Sequence, residues 1–107
     1  MAMTLIRAFD PLQNGSTQNI VVTGTTQNQV ITPNTIGVRS IRFVNSGTQV
    51  VFIAFGKDNT VTVTAANGIP ILANTTAIFT LDQDISYVAA IAGATGSTLY
   101  YTVGQGT

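Results

Sequence analysis

The chain has no cysteine, no histidine and no tryptophan. Glutamate is missing too, so the four acidic residues are all aspartates: Asp10, Asp58, Asp82 and Asp84. Without cysteine there is no disulfide, no thiolate ligand and no thiol nucleophile. Without histidine there is no Ser-His or Cys-His pair and no imidazole metal ligand. Charge is scarce, with four basic and four acidic side chains and zero net charge. That excludes the clustered Lys and Arg on which electrostatic binding of nucleic acid or of an anionic membrane depends. No apolar run approaches the ~20 residues of a membrane-spanning helix. The first residues, MAMTLIRAFDPLQNG, carry an apolar stretch that is short and broken by Arg7, unlike a secretory leader. The expectation is a protein made and used in the cytoplasm, or built into something assembled there.

The remaining routes to chemistry are thin. GATGST (93–98) lacks the lysine and the following helix of a phosphate loop. Asp82 and Asp84, in LDQDIS, are the one close pair of carboxylates. Such a pair caps a solvated turn more often than it binds Ca²⁺. Tyr87, Tyr100 and Tyr101 suggest a sugar-stacking platform, but adjacent strand residues point to opposite faces, so Tyr100 and Tyr101 cannot both join it. The reading is a protein that is not an enzyme and has no cofactor and no metal.

What is present is β-structure. At 107 residues the chain suits one domain around one core. Helix formers are sparse, and β-branched residues and glycine recur. Short β-rich runs alternate with turn signals over 18–23, 28–32, 37–45, 49–55, 60–65, 69–72, 76–81, 87–92 and 97–103. Asn67-Gly68 is a strong turn signal, and Pro70 belongs at a strand start or an edge. The pattern predicts an all-β, antiparallel β-sandwich of eight or nine short strands over 18–107, preceded by an extended N-terminal arm over 1–17.

Two strands break the expected alternation. In VVFIAF (50–55), Val50, Phe52 and Ala54 oppose Val51, Ile53 and Phe55, so both faces are apolar. In YVAAIA (87–92), Val88, Ala90 and Ala92 oppose Tyr87, Ala89 and Ile91. A sandwich strand has one inner and one outer face, and an open apolar outer patch is a liability. The cover could be the arm, a second copy of the chain or another protein, unless central strands simply tolerate apolar outer residues. Periodicity does not say which face of 50–55 looks inward. The candidate partner-binding residues are Leu5, Arg7 and Phe9 in the arm, Arg39 in the strand at 37–45, and Phe52, Phe55 and Tyr87.

VRSIRFVNSGTQVVFIAFG (38–56), with QNIVVT (18–23) before it and GIPILANTTAIFTL (68–81) and YVAAIA after it, resembles small virion proteins of tailed bacteriophages. The shared features are an arginine-bearing strand, an N-S-G-T turn, an apolar strand closing on Phe-Gly, and a P-I-L-A-N-T turn and strand. The resemblance spans about 18–104 and is closest to capsid decoration, or cement, proteins. It implies a jelly-roll-like sandwich on the outer surface of the virion, assembled in the host cytoplasm. Its partners would be the major capsid protein and the chain itself, as dimer or trimer. The matching motifs are structural, so no functional residue is carried across. Tail and fibre modules share the sandwich, which leaves a receptor- or glycan-binding module as the alternative.

Overall fold

The computed structural model describes residues 10–11, 17–31, 39–82 and 84–105, and of Asp10, Pro11, Arg39 and Gln105 the backbone alone. Nine strands follow in chain order: β1 (Asp10–Pro11), β2 (Gln18–Val22), β3 (Gln27–Val30), β4 (Arg39–Gly47), β5 (Val51–Gly56), β6 (Ile69–Ile71), β7 (Thr76–Leu81), β8 (Tyr87–Ala92) and β9 (Ser97–Gln105). Every pairing between them is antiparallel.

The topology is that of a long hairpin rolled up. Strand β2 pairs with β9, β3 with β8, β4 with β7 and β5 with β6. Two further pairings, β4 with β9 and β5 with β8, close the roll into two sheets. One sheet is ordered β2-β9-β4-β7, with β1 pairing the far end of β9; the other is β3-β8-β5-β6. This is a jelly-roll sandwich.

The inner faces follow from alternation. Ile41 and Phe43 of β4 and Leu99, Tyr101 and Val103 of β9 are fully buried, against Val51 and Ile53 of β5 and Val88 and Ala90 of β8. Each such side chain contributes on the order of 1.5–3 kcal/mol of transfer energy. The question of which side of 50–55 faces inward is thereby answered: Val51, Ile53 and Phe55 do. Phe55 packs with Phe43 and Phe79 in an aromatic cluster with centroids 5.9–6.0 Å apart, in tilted and edge-on arrangements.

One expected strand is not a strand. Residues 60–65 alternate Thr and Val as a half-buried strand should, but they join no ladder. They belong to a strap, residues 57–68, that crosses the outer face of the β3-β8-β5-β6 sheet. The expected turn at Ser46-Gly47 also moves: β4 continues through Gly47, and the chain reverses after it. Gly47 sits at φ 151°, and a Cβ there would lie 2.2 Å from the Gly96 carbonyl oxygen, so the two strands approach closely only because no side chain intervenes.

Candidate interaction surfaces

The outer face of the β3-β8-β5-β6 sheet presents Phe52, Ala54 and Gly56 from β5 and Tyr87, Ala89 and Ile91 from β8. The strap lies over it. The Asn28 amide nitrogen, from β3, donates to the carbonyls of Asn59 at 2.8 Å and Val61 at 3.3 Å. The Val63 N–H donates to Thr26 Oγ1 at 3.1 Å. Val61 rests on Gly56, where a Cβ would come within 2.5 Å of its side chain. Val63 reaches 1% exposure beside Gly68 and Phe52, and Ala89, an outward residue, is at 0%. Thr60, Thr62 and Thr64 point to solvent. Alternation in this segment is therefore real, but its apolar side is seated on a sheet face rather than in a ladder.

Local hydrogen bonds shape both ends of the strap. The Asp58 carboxylate accepts from the hydroxyl and, next, the backbone N–H of Thr60, and these bonds hold its carboxyl below the usual range. At the other end Thr64 and Asn67 bond reciprocally, the Thr64 N–H to Asn67 Oδ1 and the Asn67 N–H to the Thr64 hydroxyl. The apolar outer face that sequence alone assigned to a partner is thus largely covered by the chain itself. Phe52, Ala54, Tyr87 and Ile91 stay half-buried at its margins.

The sequence candidates fall in different places. Phe52 is outward, at the edge of the strap. Phe55 is inward and serves the core. Tyr87 is outward at the start of β8, opposite Val30 on one side and Gly56 on the other. Arg39 opens β4 opposite Leu81, and its side chain is outside the described set. Leu5, Arg7 and Phe9 lie outside the described residues. Asp82 and Asp84 are exposed, and no group of three or more metal-ligating side chains occurs among the described residues. The tyrosines form no shared platform: Tyr87 and Tyr100 stand on the outer faces of different sheets and Tyr101 is buried. Its hydroxyl accepts from Gln29 Nε2 at 2.7 Å and donates to the Val30 carbonyl at 3.0 Å, and burial pushes it up to about 12.

The surface that periodicity did not single out is the outer face of the other sheet. Val21 is 63% exposed, Tyr100 40% and Ile78 38%. Val44 and Arg42 lie between them on β4, with Val44 opposite Tyr100 and Arg42 opposite Ile78. Among the described residues, Arg42 is the one charge on an otherwise Thr-, Ser- and Asn-rich face. The signal was in the sequence: Val21, Val44, Ile78 and Tyr100 are the apolar or aromatic residues at outward parity in β2, β4, β7 and β9.

No protein-family model matches the sequence, and no curated protein matches it. Among solved structures, the chain is similar to one from Bacillus endospore appendages, described as a family of disulfide-linked pili. That match has 18% identity and a TM-score of 0.51, over 100% of this chain and 98% of that one. It is also similar to the Drosophila NLP core, described in terms of pentamer formation and histone binding, at 11% identity and TM-score 0.43, over 83% of this chain and 94% of that one. At such identities the first of these shows a shared fold, the two-sheet β-sandwich, and nothing finer.

Proposed function

We propose that the chain is a structural, non-catalytic subunit that decorates and cements a phage capsid by bridging neighbouring shell subunits. The observation that carries the reading is the outer face of the β2-β9-β4-β7 sheet, whose apolar side chains stand exposed among the described residues. Among the described residues it carries one charge, Arg42, with Val21, Ile78 and Tyr100 exposed and Val44 half-buried between them. Apolar and aromatic side chains on a surface poor in charge are what the centre of a protein interface is made of. The opposite sheet has its own strap across its outer face, and its exposed apolar residues, Val30, Ile69 and Leu72, lie on or beside its edge strands.

Composition supports the same reading. A zero net charge and few charged groups let many copies crowd a lattice without mutual repulsion. Modest contacts repeated over a symmetric shell add up through effective concentration. The pilus of the Bacillus appendages is an assembly of this type of fold, though disulfide-linked. This chain has no cysteine, so no disulfide from this sequence links an assembly it makes.

Cryo-electron microscopy of phage particles produced with this chain tests the proposal. The expected result is sandwich-shaped density on the outside of the head, with the β2-β9-β4-β7 face turned to the shell or to a neighbouring copy. Density at the tail tip alone would favour the receptor-binding module instead. Particles from which the chain washes away, leaving head stability unchanged, would contradict both.

A further inference from the structure

Among the described residues, β7 has a ladder partner on one side only. The phase of that ladder is fixed by one bond: the Asn45 N–H donates to the Thr75 carbonyl at 2.9 Å. In an antiparallel pair such rungs recur every second residue. Phe43–Ala77, Ile41–Phe79 and Arg39–Leu81 are therefore the hydrogen-bonded rungs. Ala77, Phe79 and Leu81 direct their backbone groups to β4. Thr76, Ile78 and Thr80 direct theirs the other way, to the open side.

Exposed edges are normally blunted by shortness, proline, charge or a cover. Two of the other edges here are. Strand β6 has three residues, one of them Pro70. At the β3 edge, the Val30 carbonyl already accepts from Gln18 Nε2 and the Tyr101 hydroxyl. Strand β7 is different: TAIFTL has six residues and neither charge nor proline.

We propose that β7 pairs antiparallel with β7 of a second copy about a two-fold axis through Ile78, so that two β2-β9-β4-β7 sheets become one. This deepens the structural reading above and rests on it. The register follows from two conditions. Residues opposite each other in an antiparallel pair must share a face, so the axis passes through a residue rather than between two. An axis at Ile78 sets Thr76 opposite the partner's Thr80, Ile78 opposite the partner's Ile78, and Ala77 opposite the partner's Phe79. All outward backbone groups of both copies are then used, in about six interchain hydrogen bonds. An axis through Ala77 or Phe79 would use fewer. The side chains are self-complementary in the same register: Ile against Ile and Thr against Thr on the outer face, a small residue against a large one on the inner. Two-fold, isologous pairing is the commonest closed symmetry.

The test is sedimentation equilibrium of the intact chain over a concentration series. The mass is expected to rise from 11.2 kDa to twice that value. Ile78→Lys sets two like charges opposite each other at the axis, and Ile78→Pro removes the central donor while sparing the β4 ladder. Both are expected to remain monomeric where the parent and a Thr62→Lys control on the strap are dimeric. A parent that stays monomeric at every concentration overturns the proposal. So does an assembly that neither Ile78 variant weakens, although that outcome leaves assembly through another surface, and hence the functional reading, standing. Should both variants lose the circular dichroism of the sandwich, amide exchange on the parent decides. Protection of the Ile78 N–H that grows with concentration supports the pairing, and protection independent of concentration overturns it.

Discussion

Asn45 is fully buried on the inner side of β4, and its amide nitrogen holds two separate pieces of chain. It donates to the Gln49 carbonyl at 2.8 Å and to the Ile71 carbonyl at 2.9 Å, tying the turn after β4 to the end of β6. Asn45→Ala removes the amide donor from the buried Ile71 carbonyl and leaves the half-buried Gln49 carbonyl to the Ser97 hydroxyl, at 2.9 Å, and is expected to cost about 1–3 kcal/mol in a denaturant melt. Asn45→Asp should cost more at neutral pH, because a carboxylate there is buried beside two acceptors. Its penalty should shrink as pH falls and the carboxyl gains a proton to donate. Tyr101 gives a second titration. Its folded value, about 12, lies above the ordinary value of 10.0, so the folded chain holds the proton more tightly than the unfolded one. The stability this confers is complete below about pH 10 and is lost as pH climbs toward 12, at roughly 1.4 kcal/mol per pH unit. Alkaline unfolding of a Tyr101→Phe variant should show a shallower pH dependence over that window, at the expense of the bonds from Gln29 and to Val30.

At the scale of elements, the strap makes the sharpest demand. Val63 is the residue that seats it, at 1% exposure. Val63→Asp is expected to lift the strap, increase binding of an apolar dye, and lower the thermal midpoint. Thr62→Asp, one residue away and exposed, should do neither. Gly68→Ala should act like a weak version of Val63→Asp, since its Cβ would meet the Phe52 Cβ at 2.6 Å and Val63 at 2.7 Å. The strap also marks where sequence reasoning stops. Alternation of Thr and Val over 60–64 reports that one side of the segment is buried. It says nothing about whether the backbone is paired to a strand or held by side chains such as Asn28 and Thr26. The two apolar faces of 50–55 and 87–92 were likewise visible, and they did signal a cover. That the cover is residues 57–68 of the same chain depends on a contact between β3 and the strap some 30 residues apart, which no local pattern encodes. The strands themselves were legible because their β-branched runs are bounded by Gly, Asn and Pro turns. The open edge of β7 was not, because ladder phase depends on the β4 pairing.

For the whole molecule, the proposed association falls on the β2-β9-β4-β7 sheet and its β7 edge. Among the described residues, Arg42 is the one charge on that outer face. Association is therefore expected to change little between low and high salt, whereas a contact built on ion pairs would weaken steeply over the same range. Sedimentation equilibrium at two ionic strengths checks this. The claim on which the rest depends is that the β3-β8-β5-β6 sheet is shielded by its own strap while the other sheet is left for neighbours. Methyl NMR with a soluble paramagnetic probe, from dilute to concentrated solution, tests it directly. The account predicts that the Ala89 and Val63 methyls are shielded even in the dilute monomer, that Val21 and Ile78 are strongly broadened there, and that Ile78 becomes shielded on concentration. Ala89 and Val63 broadened in the monomer and protected only on association would contradict it, and would return the interface to the face that sequence alone had pointed to.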